Sequence, residues 1–166
     1  MYNTILFPTD GSEGAEAALE HATDAARQHG ATLHLLFVAQ KEVGPSGMVG
    51  EEHDDVERSD MVGEEHETQS TGMMRTESDL STIEEQGQAI VGRVAESIGS
   101  EIPVETAILQ GNPHERIIDY ADENGVDLIV MGTHGRTGVD RYLLGSVTER
   151  VVRTADAPVL TVRMDE

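Results

Sequence analysis

The sequence predicts a doubly wound α/β fold, in which five parallel strands carry helices on both faces of the sheet. The first observation is that apolar segments of strand length alternate with segments whose apolar residues have helical spacing, from residue 2 to residue 162. The second is that the strands are nearly continuous apolar runs, which is typical of parallel sheets covered on both faces. Because 166 residues suffice for one sizeable core, we expect a single domain over 1–166.

The first 40 residues predict a β-α-β unit. A short apolar strand over residues 2–8 ends at Pro8, and a polar turn follows it. Alanines at helical spacing predict a helix over 13–29, with Ser12 as its N-cap and Gly30 as its stop. Residues 32–38 are β-branched and aliphatic and predict the second strand.

An acidic insertion at about 41–79 interrupts this alternation. It contains 12 acidic residues against 3 basic ones, and the hexapeptide 48–53 recurs as 61–66. Few large apolar residues and no clear period favour a solvated, mobile segment. A divalent metal bound by the Glu and His residues at 51–55 and 64–67 is an alternative interpretation.

The alternation resumes near residue 80. An apolar stripe predicts a helix that ends at Gly99, and a strand follows over 104–109. Asn112 as N-cap and Pro113 at the first helical position predict the next helix, which Gly125 ends. A buried strand over 127–131, a helix over 146–154 and a last strand over 158–162 complete the pattern.

Composition excludes several classes of function. The net charge of −21 disfavours general binding to nucleic acids and to anionic membranes. The absence of Cys excludes thiol catalysis and Cys-ligated metals. No segment resembles a membrane span or signal peptide, so we expect a cytoplasmic protein. The acidity and the single Lys indicate adaptation to a salt-rich cytoplasm, with an acidic partner-binding surface as the alternative.

A glycine-rich segment, residues 132–148, is the strongest candidate for function. Its glycines stand at 132, 135, 138 and 145, after a buried strand and before a helix, and residues 132–153 carry a local charge of +2. Glycines let backbone N–H groups approach an anion, and a helix N-terminus adds positive potential. The spacing matches neither a Walker A loop nor the dinucleotide fingerprint. A connection that merely turns the chain remains the alternative.

The pattern Gly132-x2-Gly135-x9-Gly145-Ser146 resembles the nucleotide-binding signature of the universal stress proteins. Four further blocks resemble that family in the same order, namely 5–12, 111–113, 127–132 and 157–162. The resemblance covers residues 2–39 and 80–164. It implies a parallel sheet of order 3-2-1-4-5 and a homodimer formed through the last strand, Pro158 to Val162.

The resemblance also implies the ATP-binding branch of the family, because the glycine motif is retained. It implies that ATP is bound where the strand order reverses, between strands 1 and 4, with Mg²⁺ held mainly by the phosphates and water. The implied phosphate residues are Gly132, Gly135, Arg136, Thr137, Gly138, Gly145, Ser146, Val147 and Thr148, with the hydroxyls of Ser146 and Thr148 as donors. Those implied to border adenine and ribose are Pro8, Asp10, Val38 and Met131.

Three functions are compatible with these residues. The favoured one is a nucleotide-binding regulatory protein of the stress response, with at most slow hydrolysis because no convincing base is poised to activate water. The second is a slow ATPase or phosphoryl-transfer enzyme in which Asp10 or His134 orients the nucleophile. The third is a protein-interaction module that no longer binds nucleotide. The sequence does not identify a protein partner.

Overall fold

The computed structural model of the chain describes residues 1–40, 77–133 and 144–163. The strands are β1 (Thr4–Pro8), β2 (Thr32–Gln40), β3 (Val104–Gly111), β4 (Leu128–Gly132) and β5 (Val159–Val162). The helices are α1 (Glu13–His29), α2 (Glu77–Ile98), α3 (Pro113–Glu123) and α4 (Ser146–Thr154). Every element that the sequence predicts is present, and most bounds differ by three residues or fewer.

The strands form one parallel sheet of order β3-β2-β1-β4-β5. Ile5 of β1 is paired with Leu33 of β2 on one side and with Leu128 of β4 on the other. The predicted doubly wound fold and the predicted strand order are therefore confirmed. The order reverses at β1, which lies between the two halves of the sheet.

Alternation along the strands divides the core into two layers. We call the layers the α1/α2 face and the α3/α4 face after the helices that cover them. Phe7 and Leu35 point to the α1/α2 face, where the alanines of α1 pack. Leu6, Leu36 and Ile129 point to the α3/α4 face. Ile5, Leu6 and Phe7 in the middle of β1 are at most 1% exposed, so both faces of the strand are covered there, which explains its apolar sequence.

The ends of α1 match the sequence prediction. The Ser12 side chain accepts a hydrogen bond from the Ala15 N–H, and Gly30 adopts a left-handed conformation with φ of 64°. Asn112 occupies the N-cap position of α3, but its side chain makes no capping hydrogen bond. The predicted N-cap position of Asn112 and the predicted helix start at Pro113 are therefore confirmed, without the side-chain bond that Asn usually makes there.

Three bounds differ from the sequence prediction, at the start of α2 and at the ends of β2 and β3. Helix α2 begins at Glu77, within the last residues of the predicted acidic insertion. Strand β2 continues to Gln40 and β3 to Gly111. The two strands remain paired as far as these residues, and this pairing extends both beyond the predicted ends. The rest of the insertion, residues 41–76, lies outside the described residues.

Candidate functional site

The carboxyl ends of β1 and β4 meet at the reversal of the strand order. The chain leaves β1 toward the α1/α2 face and reaches α4 on the α3/α4 face after β4. Connections that diverge in this way leave a crevice above the sheet, and ligands of doubly wound proteins bind in such crevices. The predicted site residues that the structure describes lie at this edge or in the strands that lead to it.

Asp10 lies two residues beyond the end of β1 and is half-buried. Its carboxylate oxygen Oδ1 accepts a hydrogen bond from the Ser12 N–H at 2.9 Å. The neighbouring Thr9 hydroxyl accepts from the Gly11 N–H at 3.1 Å. These two bonds fix the turn before α1, so Asp10 has a structural role in the turn whether or not it also contacts a ligand.

Three predicted base-binding residues belong to neighbouring strands at this edge. Pro8 ends β1 and is half-buried, and Val38 lies in β2, two residues after the partner of Pro8. Val38 packs against the core of the α3/α4 face, to which Met131 of β4 also belongs. Met131 is 6% exposed, so its contribution to a ligand site would be a small apolar surface at the base of the crevice.

Gly132 ends β4 at a point of very close packing. A Cβ atom at this position would lie 2.4 Å from the Gly14 carbonyl oxygen and 2.8 Å from its carbonyl carbon. Both atoms belong to the backbone of α1, which cannot yield as a flexible side chain could. Gly132 is therefore required for α1 to pack against β4, a reason that is independent of any phosphate.

The first turn of α4 is held directly against the end of β4. The Gly145 N–H donates to the Thr133 carbonyl at 2.7 Å, and the buried Thr148 hydroxyl donates to the Gly132 carbonyl at 2.9 Å. Gly145 occupies the N-cap position, and no side chain caps the helix. Ser146 is exposed and Val147 is half-buried. Among the described residues, no side chain accepts a hydrogen bond from the first N–H groups of α4, which are the groups that a helix leaves without a partner of its own.

The Thr148 hydroxyl has a different partner from the one that the family resemblance implies. Its single proton is directed to the Gly132 carbonyl, inside the protein. Thr148 would therefore support a phosphate site by fixing α4 rather than by donating from its hydroxyl. The Ser146 hydroxyl, on an exposed side chain, has no such constraint.

Part of the predicted site lies outside the described residues. This applies to Gly135, Arg136, Thr137 and Gly138, and to His134. It applies equally to the alternative metal clusters of the acidic insertion. In the described ranges 1–40, 77–133 and 144–163, no group of three or more His, Asp or Glu side chains is placed to hold a metal ion. No helix in the same ranges is long and apolar enough to cross a membrane.

A polar cluster beneath α3 was not anticipated from the sequence, and His34 is at its centre. His34 of β2 is 6% exposed, and its Nδ1 lies 2.9 Å from the Tyr120 hydroxyl of α3. Its Nε2 lies 3.7 Å from the Glu105 carboxylate of β3. Burial, and to a smaller extent the Glu105 charge, raise the pKa of Tyr120 above its ordinary value. The spacing of these residues carries no signal, because three separate elements bring them together.

The strand order and the ends of β1 and β4 together define a doubly wound α/β protein with a switch point between β1 and β4, and its sequence is rich in glycine between β4 and α4. A sequence model of the universal stress protein family matches residues 1–163. The chain belongs to the universal stress protein family, as the resemblance of its motifs indicated.

Two relatives from Methanocaldococcus jannaschii are similar over nearly the whole chain. Universal stress protein MJ0531 is 35% identical over 98% of this chain and 83% of its own length. Universal stress protein MJ0577 is 34% identical over 98% of this chain and 96% of its own length.

Two solved structures share the fold. A universal stress protein in complex with cAMP has a TM-score of 0.61 and 22% identity, covering 98% of this chain and 97% of that one. The universal stress protein from Archaeoglobus fulgidus in complex with dAMP has a TM-score of 0.55 and 19% identity, covering 97% of each chain.

Proposed function

We propose that this chain is a nucleotide-binding regulatory protein of the stress response, which binds ATP with Mg²⁺ at the switch point between β1 and β4. Nucleotide binding or release would shift the dimer contact or the acidic insertion at about 41–79, and so change the affinity for a protein partner. Family membership and the geometry of the carboxyl edge support this proposal. The two proteins of the same fold that were solved with cAMP and dAMP support the choice of an adenine nucleotide.

The observation that carries the proposal is the position of the first turn of α4. Two hydrogen bonds hold this turn beside the end of β4, and in the described ranges no side chain accepts a hydrogen bond from its first N–H groups. Aligned peptide dipoles give a helix N-terminus a partial positive charge, which favours phosphate. This local preference would oppose the repulsion that a chain of net charge −21 exerts on an anion.

The other parts of the bound ATP would also contact residues at the carboxyl edge of the sheet. Pro8, Asp10 and Val38 would border the adenosine part, with Met131 at the base of the crevice. Mg²⁺, when bound, would neutralise part of the triphosphate charge. In this proposal phosphates and water supply most of the Mg²⁺ ligands.

The decisive experiment measures ATP affinity with Mg²⁺ in multimolar KCl for the wild type, Ser146→Glu and Ser146→Gln. Ser146 is the first residue of α4 and is exposed, so neither substitution disturbs the core. A carboxylate at this position favours the helix, yet it repels phosphates. We expect Ser146→Glu to weaken ATP binding by tenfold or more without loss of stability, and Ser146→Gln to change affinity much less.

Equal affinity in all three proteins would contradict a phosphate site at α4. Gly135→Glu extends the test to the glycine-rich connection, and folded wild-type protein that does not bind ATP would leave the interaction module as the better hypothesis. Multiple turnover of ATP by the wild type would favour the slow ATPase instead. Circular dichroism in the same KCl solution establishes that each variant is folded.

We further propose that the protein is cytoplasmic, is adapted to high salt and forms a homodimer through β5. Strand β5 lies at the edge of the sheet, and its Leu160 is 41% exposed. Pairing with a second β5 would satisfy the open backbone groups and cover Leu160. Sedimentation in KCl should show a dimer for the wild type and mostly monomer for Leu160→Lys. A dimer in both would place the contact elsewhere.

A further inference from the structure

A second cavity lies between α1 and α2, on the α1/α2 face of the sheet. Its volume is about 300 Å³, at the lower end of the range for small-molecule sites. Phe7 of β1 and Ile90 of α2, which are 1% and 8% exposed, contribute apolar surface. Leu19 of α1 and Val94 of α2 extend this surface toward solvent. The cavity therefore offers an apolar interior with an open mouth.

The cavity lies mainly on the face of the sheet opposite the core to which Val38 and Met131 belong, and it reaches the turn after β1 at Thr9 and Gly11. Phe7 and Thr9 alternate along the chain with Pro8 and Asp10, which belong to the other site. Val38 and Met131 pack on the α3/α4 face, whereas Phe7 and Ile90 belong to the core of the α1/α2 face. A ligand of this cavity would therefore not occupy the adenosine position.

Opposite charges face each other at the mouth. Glu16 of α1 and Arg93 of α2 both line the cavity but do not form an ion pair with each other. Within the described residues, the Arg93 side chain makes one hydrogen bond, from Nε to the Ala89 carbonyl of its own helix at 3.4 Å. The Glu16 carboxylate makes none to that part of the chain. Both groups can thus bind a ligand without breaking a described ion pair.

Ser97 adds a third polar group with a defined role. Its hydroxyl donates to the Val94 carbonyl at 2.7 Å, so its free lone pairs can accept a hydrogen bond from a ligand. Glu16 and Ser97 would then accept from an ammonium group, and Arg93 would donate to a carboxylate. The chemistry of the mouth fits a molecule that carries both charges better than an anion or a cation.

We infer that the cavity between α1 and α2 binds a small zwitterion with an apolar body, the chemistry of a free hydrophobic amino acid. The apolar body lies against Phe7 and Ile90, and the ammonium and carboxylate groups lie between Glu16 and Arg93. A neutral ligand avoids the repulsion that the net charge of −21 imposes on anions. The inference does not depend on the proposed nucleotide function.

Three probes with the same aromatic body test the assignment. They are L-phenylalanine, 2-phenylethylamine, which lacks the carboxylate, and 3-phenylpropanoate, which lacks the ammonium group. We expect L-phenylalanine to bind with a dissociation constant near 1 mM and to shift the methyl resonances of Leu19, Ile90 and Val94 in NMR spectra. The two analogues should bind about tenfold more weakly. The KCl concentration is kept at the lowest value at which the protein remains folded, to limit screening.

Four variants test whether Arg93 and Glu16 bind the charged groups of the ligand. Arg93→Gln and Glu16→Gln should each weaken L-phenylalanine binding about tenfold. Arg153→Gln and Glu20→Gln are the matched controls, since both residues are exposed on helices and neither lines the cavity. These controls should leave affinity unchanged. All four positions are exposed, so the fold is expected to tolerate each substitution.

The outcomes separate cleanly. Selective binding of L-phenylalanine that both cavity variants weaken supports the inference. No saturable shift at 20-fold above the expected constant, about 20 mM, overturns it, as does equal binding of either analogue. Shifts that survive in Arg93→Gln and Glu16→Gln also overturn it. ATP affinity measured in the same variants reports on the nucleotide proposal separately, because neither Glu16 nor Arg93 is among the residues proposed to contact the nucleotide.

Discussion

The two faces of the sheet are built in different ways. On the α1/α2 face, small residues let the helices approach closely, as at Gly132 against Gly14 and at Gly87 of α2, whose Cβ would lie 2.7 Å from the Phe37 ring. On the α3/α4 face, the packing includes the buried polar side chain of His34, which contacts the half-buried Tyr120 and the exposed Glu105. The packing of the α1/α2 face depends on the close approach of helices and strands at glycine, whereas the packing of the α3/α4 face depends in part on a hydrogen bond.

This difference predicts opposite sensitivities. A face held by close backbone contact tolerates added atoms poorly, because packed backbone cannot move aside. A face with a buried polar contact tolerates the loss of a single hydroxyl poorly, because the remaining partner stays desolvated. Substitutions that add or remove one atom distinguish the two cases with little other change.

Gly132→Ala should have the largest effect. The new methyl group would meet the backbone of α1 at Gly14, so we expect unfolding to become easier by about 3 kcal/mol or more. Gly92→Ala is the matched control, since nothing lies within 4 Å of its Cβ position on α2. That substitution should stabilise the protein by up to about 1 kcal/mol. Urea unfolding in fixed KCl measures both, and a neutral Gly132→Ala would refute the packing role.

Tyr120→Phe should have the next largest effect. It removes the hydroxyl that lies 2.9 Å from His34 Nδ1 and leaves a buried ring nitrogen without that partner. We expect a loss of about 1–2 kcal/mol in unfolding free energy. Tyr2→Phe provides the comparison, because Tyr2 contacts His29 by ring packing, which Phe retains, and should change stability by less than about 0.5 kcal/mol. Equal effects of the two substitutions would show that the polar contact contributes nothing.

Sequence reasoning predicted the α1/α2 face better than the α3/α4 face. The alanine spacing of α1, the Ser12 cap and the Gly30 stop are local features, and the structure has all three. The cluster at His34 requires β2, β3 and α3 to meet, which no local pattern encodes. For the same reason the sequence did not predict that Asn112 would leave its capping bond unmade.

The candidate site divides in a similar way. The glycine spacing and the strand order placed the crevice at the ends of β1 and β4, because topology determines where connections diverge. The spacing could not distinguish a glycine that approaches phosphate from one that approaches a helix. Gly132 is now explained by its contact with α1, and Thr148 by its bond to Gly132. The roles of Gly135, Arg136, Thr137 and Gly138 stay predictions.

The smallest effect on stability is expected from a substitution of Asp127, which lies at the amino edge of the sheet and belongs to neither face. Its carboxylate accepts hydrogen bonds from the N–H groups of Asn3 at 2.7 Å and Thr4 at 3.1 Å. These bonds, the one to Asn3 first, favour the charged form and lower the pKa of Asp127 below its ordinary value of 3.8.

A lowered pKa in the folded state gives a defined dependence on pH. The stabilisation by Asp127 is fully present above pH 3.8, the ordinary value, and is lost as the pH falls through the lower pKa of the folded state. Asp127→Asn should therefore be less stable than the wild type near pH 7, and the gap should narrow only below pH 3.8. Urea unfolding of both proteins between pH 7 and the acid limit of folding measures the gap. A gap that narrows well above pH 3.8 would mean that the two backbone bonds do not hold the charged form, and the amino edge would then depend on the faces alone.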